Sequence, residues 1–444
     1  MAEVLSRVST RAVAGGISLL LLAAACGGGS NQAQGASATD VTVWTAWGGQ
    51  ELTAFKDVLK PFETNSGIKV HLTTNRDSTN QIANGIAAGT DLPDIAPGPT
   101  DPAMVKSWVS KGALKPIETA LGDQFKAYTD NTYPALTTAP GGASDDPYIG
   151  VIGGKHYELM VKTQVKGLFW YNKKIFTGSP PKTFDELLAI NPSQYNAQAL
   201  FCAGFESGAA SGWPASDQID NIIMRQSGDK TYLDWVQGKV KFSDAPIKLG
   251  YQTFLKEVAN NTVYGGTNTA LSTNFGKAGD PLFKSPAGCL FLEQATFIAN
   301  FFTQNVSGVK AGTDFDFFAH PSVNSQYDGN VNGFYDNFAM YNDTPAARKL
   351  LQYLATKDAQ QIWANDGGTL GAIKSLTYSD PIFKRAADIA NSAKNLLVTA
   401  GDFMPADMQK AFWQSLLNVT RNPGSLDSEL KHLDQVQTAS YASS

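Results

Sequence analysis

The chain has 444 residues, a formal net charge of −5 and 17% charged residues. With no basic cluster it lacks the electrostatic driver for gripping a phosphate backbone, which excludes nucleic acid as a partner. Hydrophobic residues make up 43% of the chain, which argues for a folded body. The four histidines (His71, His156, His320, His432) show no ligand spacing, so neither a metal nor another cofactor is predicted.

The first 26 residues read as a leader. Arg7 and Arg11 lead into an apolar run from Ala12 to Ala25, too short for a comfortable membrane span and right for the core of a signal peptide. The run stops at Ala24-Ala25-Cys26, and small residues before a cysteine resemble the bacterial lipobox. Residues 1–26 are therefore predicted to be a signal peptide whose Cys26 carries a lipid. Residues 27–39 contain no charge and no large apolar side chain, so they predict a flexible tether. No later stretch has eighteen unbroken apolar residues, so the body is expected to be soluble. About 400 residues then remain, more than one core comfortably serves, and two domains are expected.

The body opens with Val41-Thr-Val-Trp-Thr-Ala-Trp47, whose alternation predicts a strand. Gly48-Gly49 turns the chain into a helix marked by Leu52, Phe55, Val58, Leu59 and Phe62. A second strand is predicted from Ile68 to Leu72, a helix through Ile82 and Ile86 ending near Gly89, and a short strand at Asp94-Ile95-Ala96 broken by Pro97-Gly98-Pro99. Strand–helix alternation of this kind predicts an α/β fold with a mostly parallel sheet. Further strands are predicted at Leu168–Tyr171, Ala199–Ala203 and Gly288–Leu292. Thr183-Phe-Asp-Glu186 is a capping box that opens a helix, Thr344-Pro345 starts another, and Pro405 begins a third through Met408, Phe412 and Leu416. Besides Cys26 the chain has Cys202 and Cys289. An even pair in an exported chain reads as one disulfide, the alternative being two buried thiols.

Catalytic signatures are missing: no nucleophile elbow, no H-E-x-x-H, no P-loop and no dinucleotide fingerprint after a strand. Aromatic residues instead collect near predicted strand breaks, among them Trp47, Trp170, Trp213, Phe334, Tyr335 and Trp413. A sugar ring is held by aromatic faces against its C–H surface and by polar side chains at its hydroxyls. Open α/β sheets bind ligands at the carboxyl ends of their strands.

Gly89-Thr-Asp-Leu-Pro-Asp-Ile-Ala96, Trp170-Tyr-Asn-Lys173 and Pro181-Lys-Thr-Phe-Asp-Glu-Leu187 resemble segments of the sugar-binding proteins of ABC importers, the family 1 solute-binding proteins. Gly401-Asp-Phe-Met-Pro405 followed by Ala411-Phe-Trp413 resembles the C-terminal segment of maltose-binding proteins. Phe201-Cys-Ala-Gly, Glu206-Ser-Gly, Gly212-Trp-Pro and Tyr353-Leu-Ala-Thr356 are similar to the α-glucoside-binding branch. The resemblance runs from about Val41 to Pro423. It implies a two-lobed periplasmic-binding-protein-like fold of type II with a hinge crossed three times, near Lys166, Gly333 and Gly371. Residues 40–166 and 330–371 would form the first lobe, and residues 167–329 and 372–444 the second.

By the same resemblance the chain captures an oligosaccharide, an α-glucoside such as maltose or trehalose, by closing on it, and delivers it to membrane permease subunits as a monomer held by its lipid. Trp413 matches a tryptophan that stacks on sugar, and Asp101 an acidic residue that takes sugar hydroxyls, although the aromatic expected just before it is replaced by Pro97-Gly98. Trp47 is placed for stacking or for the core. Glu293, Gln294, Phe334, Tyr335, Arg76, Glu206, Trp213, Asp217 and Asp402 complete the expected sugar-binding set. Glu293 stands where the α-glucoside branch commonly has a basic residue. A Cys202–Cys289 disulfide would tie neighbouring strands of the second lobe below the binding loops. The alternatives are an exported glycoside-processing enzyme, whose carboxylate pair would be invisible in sequence, and a binder of a glycerol phosphate ester or a polyamine.

Overall fold

A computed structural model of the protein describes residues 37–75, 77–133, 145–366 and 369–442. Cys26, the leader and most of the tether lie outside the described residues, as does Arg76. Two main sheets organise the body. The larger runs β12-β6-β11-β3-β1-β2, built from β1 (Asp40–Thr45), β2 (Lys69–Thr74), β3 (Ile95–Ala96), β6 (Glu158–Val165), β11 (Asn330–Met340) and β12 (Leu370–Gly371). To this, β13 (Asn395–Val398) adds alongside the start of β11. The smaller sheet runs β10-β7-β9-β8, from β7 (Leu168–Asn172), β8 (Ala197–Cys202), β9 (Ala287–Gln294) and β10 (Phe315–Ala319). A small hairpin of β4 (Val151–Ile152) and β5 (Lys155–His156) stands apart.

The opening follows the predicted order. β1 pairs with β2 in parallel, from Asp40 opposite Lys69 to Thr45 opposite Thr74, and Val43 lies opposite Ile95 of β3. The return is made by the helix Gly49–Ser66, which lays Phe55, Val58 and Leu59 against Val41 and Val43 in one core. The expectation of a mostly parallel sheet is corrected beyond this point. β11 runs antiparallel to both β3 and β6, and β12 antiparallel to β6. The reason is connection geometry: β6 leads out of this sheet into the smaller one and β11 comes back from it, so neither is joined to its neighbour through the single helical crossover a parallel pair requires.

The chain leaves the larger sheet at Lys166-Gly167, between β6 and β7, and returns between β10 and β11. Gly167 has a φ of 70°, and a Cβ there would collide with the Asn221 side chain, so the passage is held to glycine. Residues 395–398, grouped by sequence with the second lobe, hydrogen-bond to Asn330–Gly333 of the larger sheet. The core around the smaller sheet buries Trp170, Phe201, Phe291 and Phe317 under the helices Trp213–Ser227, Ala245–Glu257 and Ala406–Arg421, and reaches across to Val165, Val331 and Tyr335. Cys202 and Cys289 form a disulfide between β8 and β9. Thr183 and Glu186 form the expected capping box, and Thr344 caps the helix Pro345–Leu354. Among the described residues no helix is long and apolar enough to cross a membrane.

Candidate functional site

Side chains alternate along a strand, so Lys162 and Gln164 of β6 share a face, with Lys166 next in step beyond the strand's end. The antiparallel register sets Asp336 opposite Lys162 and Phe334 opposite Gln164. Lys162 is almost fully buried, yet its Nζ lies 2.8 Å from Glu51 Oε1 and 3.3 Å from Asp336 Oδ2. Lys166 Nζ lies 2.7 Å from Asp217 Oδ1 and 3.3 Å from Asp402 Oδ2. Burial pulls each ammonium's pKa down, but the flanking carboxylates outweigh it and the net shift is upward for both. Burial also lifts Asp217 to about 7, with the Lys166 ammonium opposing and Asp402 reinforcing the rise. Buried charges of this kind persist only because each is paired.

In front of this face lies a cavity of about 510 Å³. One side is lined by Gly48, Gly49, Glu51, Gln164, Lys166, Phe334 and Asp336; the other by Trp213, Phe275, Phe297, Asn300, Phe301, Gln304 and Asp402. The aromatic wall is a set of edge-on contacts, with ring centroids 5.1 Å apart for Trp213–Phe275 and 5.6 Å for Phe275–Phe301. Lys166 Nζ sits 5.2 Å from the Phe334 ring centre and 5.9 Å from that of Trp213. Trp213 is aimed by Gly212, whose φ is 104° and where a Cβ would come within 2.6 Å of the Trp413 carbonyl oxygen. The arrangement offers flat apolar faces beside hydrogen-bonding groups, which suits reversible binding of a small polar ring. Among the described residues no group of His, Cys, Asp and Glu could hold a metal ion.

A profile of the bacterial extracellular solute-binding proteins matches residues 57–391. The chain belongs to that family. This solute-binding protein is 30% identical over 399 residues to the alpha-glucosides-binding periplasmic protein AglE of Rhizobium meliloti, covering 87% of this chain and 84% of the relative. It is 28% identical over 414 residues to the osmoprotective compounds-binding protein GgtB of Synechocystis, covering 90% of this chain and 93% of the relative. Among solved structures it is similar to the bacterial solute receptor AcbH, described by its exclusive preference for b-D-galactopyranose, with a TM-score of 0.70 at 18% identity over 90% of this chain and 98% of that one. That likeness shows the fold, a two-lobed binding protein of type II. The chain is a binder and not an enzyme, since its family and relatives are solute-binding proteins.

The cavity of this solute-binding protein gathers three of the residues expected from sequence: Trp213, Phe334 and Asp402. Asp217 stands directly behind them, buried against Lys166. Several others are placed elsewhere. Trp47 is in the core, 8% exposed, edge-on to Phe55, Phe338 and Trp363 and capped by Lys162 Nζ at 4.4 Å. The strand ends at Thr45, and the turn folds the indole inward. Tyr335 is buried beside Phe334 and Phe403 and does not line the cavity; its hydroxyl donates to the Tyr148 carbonyl. Glu293 and Gln294 are buried within β9: burial pushes the Glu293 carboxyl well up beside Glu257, and Gln294 Oε1 accepts from Ala295 N. Glu206 braces its loop, accepting from Gly208 N at 2.6 Å and from Asn274 Nδ2 at 2.8 Å.

Asp101 caps the helix Pro102–Ser110 through Ala103 N and also accepts from Ala406 N, so backbone groups take the oxygens that were expected to meet sugar hydroxyls. Trp413 packs against Gly212 and Gly401, and its buried Nε1 has no hydrogen-bond partner among the described residues. Sequence reasoning passed over Gln164, Asp336, Phe275, Phe297 and Phe301. The available signal was the period-two polar series Lys162, Gln164, Lys166, which an ordinary buried strand would not carry.

Proposed function

We propose that this protein captures an oligosaccharide for an ABC importer, an α-glucoside such as maltose or trehalose, and delivers it to the permease subunits. The reading rests on one observation: a cavity of about 510 Å³ lined both by the aromatic rings of Trp213, Phe297, Phe301 and Phe334 and by the polar side chains of Gln164, Asn300, Asp336 and Asp402. Aromatic faces and convergent acceptors are what a sugar's two chemical surfaces require. The volume falls in the range of small-molecule sites, about 300–1,000 Å³. The α-glucoside reading is supported by the relative named for binding alpha-glucosides, at 30% identity.

In this reading residues 40–166 and 330–371 form one lobe, residues 167–329 and 372–444 the other, and the lobes close on the sugar about the passages between the sheets. The protein acts as a monomer outside the cell, held to the membrane by a lipid on Cys26 through the tether 27–39. Cys26→Ala would then release it from the membrane fraction into the soluble one.

The ligand assignment is tested by thermal shift against mono- and oligosaccharides, with sn-glycerol 3-phosphate and spermidine alongside. A ligand at one hundred times its Kd adds about 2.7 kcal/mol to stability, readily seen as a raised Tm. A shift with glycerol phosphate or spermidine and with no sugar would refute the reading.

A further inference from the structure

We infer that the cleft sorts solutes by charge, with Asp336 and Asp402 as the residues that turn away phosphorylated and carboxylated sugars while admitting neutral ones. The inference rests on the sugar-binding reading above and narrows it.

Lys162 of β6 and Lys166, just past its end, lie four residues apart, and each is built into a triad with two carboxylates: Glu51–Lys162–Asp336 and Asp217–Lys166–Asp402. The cations are the hidden members. The side chains of Lys162 and Lys166 are 1% and 6% exposed, whereas Glu51, Asp336 and Asp402 are 46%, 28% and 25% exposed. Lys166 is the one cation among the described residues that line the cavity, against three acids. Its Nζ is already engaged by two carboxylates, one of them buried.

An incoming solute therefore meets acceptor oxygens. Hydroxyl groups can donate to them; a phosphate or carboxylate cannot, and repels them. Four carboxylates around two ammoniums leave excess negative charge even with Asp217 protonated. A unit charge held about 6 Å from one such excess charge, at an effective dielectric of about 20, is disfavoured about a hundredfold. An ammonium suffers no such penalty, so amino sugars pass. The aromatic wall does not discriminate, since it touches only the apolar face of a ring.

The test is calorimetric titration of the whole protein at low salt with trehalose, trehalose 6-phosphate, glucose, glucuronate, glucosamine, sn-glycerol 3-phosphate and spermidine. The charge filter predicts that each anion binds at least about a hundredfold more weakly than its neutral counterpart. Trehalose 6-phosphate or glucuronate binding as tightly as trehalose or glucose overturns the filter and leaves the sugar reading standing. Spermidine binding in place of every sugar overturns the sugar reading and supports the filter; glycerol phosphate binding in their place overturns both. In Asp336→Asn/Asp402→Asn, and in Asp402→Asn alone should the double variant melt early, the neutral-to-anion affinity ratio is expected to narrow about tenfold. That ratio does not move with a general loss of binding, and an unchanged ratio removes both residues from the filter.

Discussion

Asp101 Oδ2 accepts a hydrogen bond from the backbone N–H of Ala406, 3.4 Å away and 305 residues along the chain. Its other oxygen caps the helix Pro102–Ser110 at Ala103 N, 2.8 Å away. One carboxylate thus serves the starts of two helices, and the second, Ala406–Arg421, has no side-chain cap of its own because Pro405 stands at that position. Asp101→Ala should cost about 1 kcal/mol in denaturant unfolding. If the proposed lobes close on the ligand, it should also weaken binding several-fold, because Asp101 and Ala406 fall in different proposed lobes and their link is lost. Asp101→Asn keeps an acceptor and should restore most of both. Ligand affinity unchanged in the alanine variant would confine Asp101 to a local cap.

Trp213 and Trp47 separate binding from folding. Trp213→Ala removes a face of the cavity and should weaken sugar binding about thirtyfold or more, as truncation of a central aromatic contact does, with a modest fall in Tm. Trp47→Ala empties a core site and should lower stability by about 3–5 kcal/mol. Trp47→Phe, which keeps most of the packing, should leave sugar affinity near that of the parent. Calorimetry and thermal melts on the three variants would expose a reversed pattern directly.

Glu158 is buried, with one carboxyl oxygen hydrogen-bonded to Asn337 Nδ2 and the other without a partner among the described residues. Burial holds its pKa well above the ordinary value of 4.5, with the Asn337 hydrogen bond opposing. The folded state therefore keeps a proton that the unfolded chain gives up near pH 4.5. This group's contribution is fullest below that pH and is lost as pH climbs toward the folded value, at up to about 1.4 kcal/mol per unit. Glu257, lifted by burial to about 8, acts in the same direction. Urea unfolding at pH 5 and pH 8 should show a shallower decline for Glu158→Gln than for the parent. An identical decline would mean that Glu158 ionises in place.

The Cys202–Cys289 bond closes a loop across 87 residues of sequence. Reduction, or the double alanine variant, should lower stability by about 2–5 kcal/mol. Comparing melts with and without reductant checks this, and a reductant-insensitive melt of fully reduced protein would contradict it.

Much of the first half of the fold was legible because local signals agreed. The alternation at Val41–Trp47, the helical spacing from Leu52 to Phe62 and the capping box at Thr183 each point one way, and the structure follows them. The strands that carry the site were the ones passed over. In β6 the run is interrupted by Glu158, Lys162 and Gln164, and in β11 by Asn332, Asp336 and Asn337, so neither looks like a buried strand. Those polar residues, all buried but the half-buried Asp336, find partners far along the chain, as Lys162 does in Glu51, Gln164 in Thr296 and Glu158 in Asn337, which local sequence does not encode. Trp47 shows the converse. Its sequence surroundings fit a stacking platform, and only the arrival of Phe338 and Trp363 turns it into core. The aromatic wall combines Trp213, Phe275 and the neighbouring pair Phe297 and Phe301 from three segments, a grouping that exists only after folding.

Lys166 is the last residue before the chain turns through Gly167 into the smaller sheet, and its ammonium also looks onto the cavity over Phe334 and Trp213. One side chain therefore belongs both to the passage between the sheets and, through its pairing with Asp402, to the cavity wall. A lineage could retool the aromatic wall for a new cargo one substitution at a time. Replacing Lys166 would instead strand two carboxylates, one of them buried, at the very point where the chain passes between the sheets.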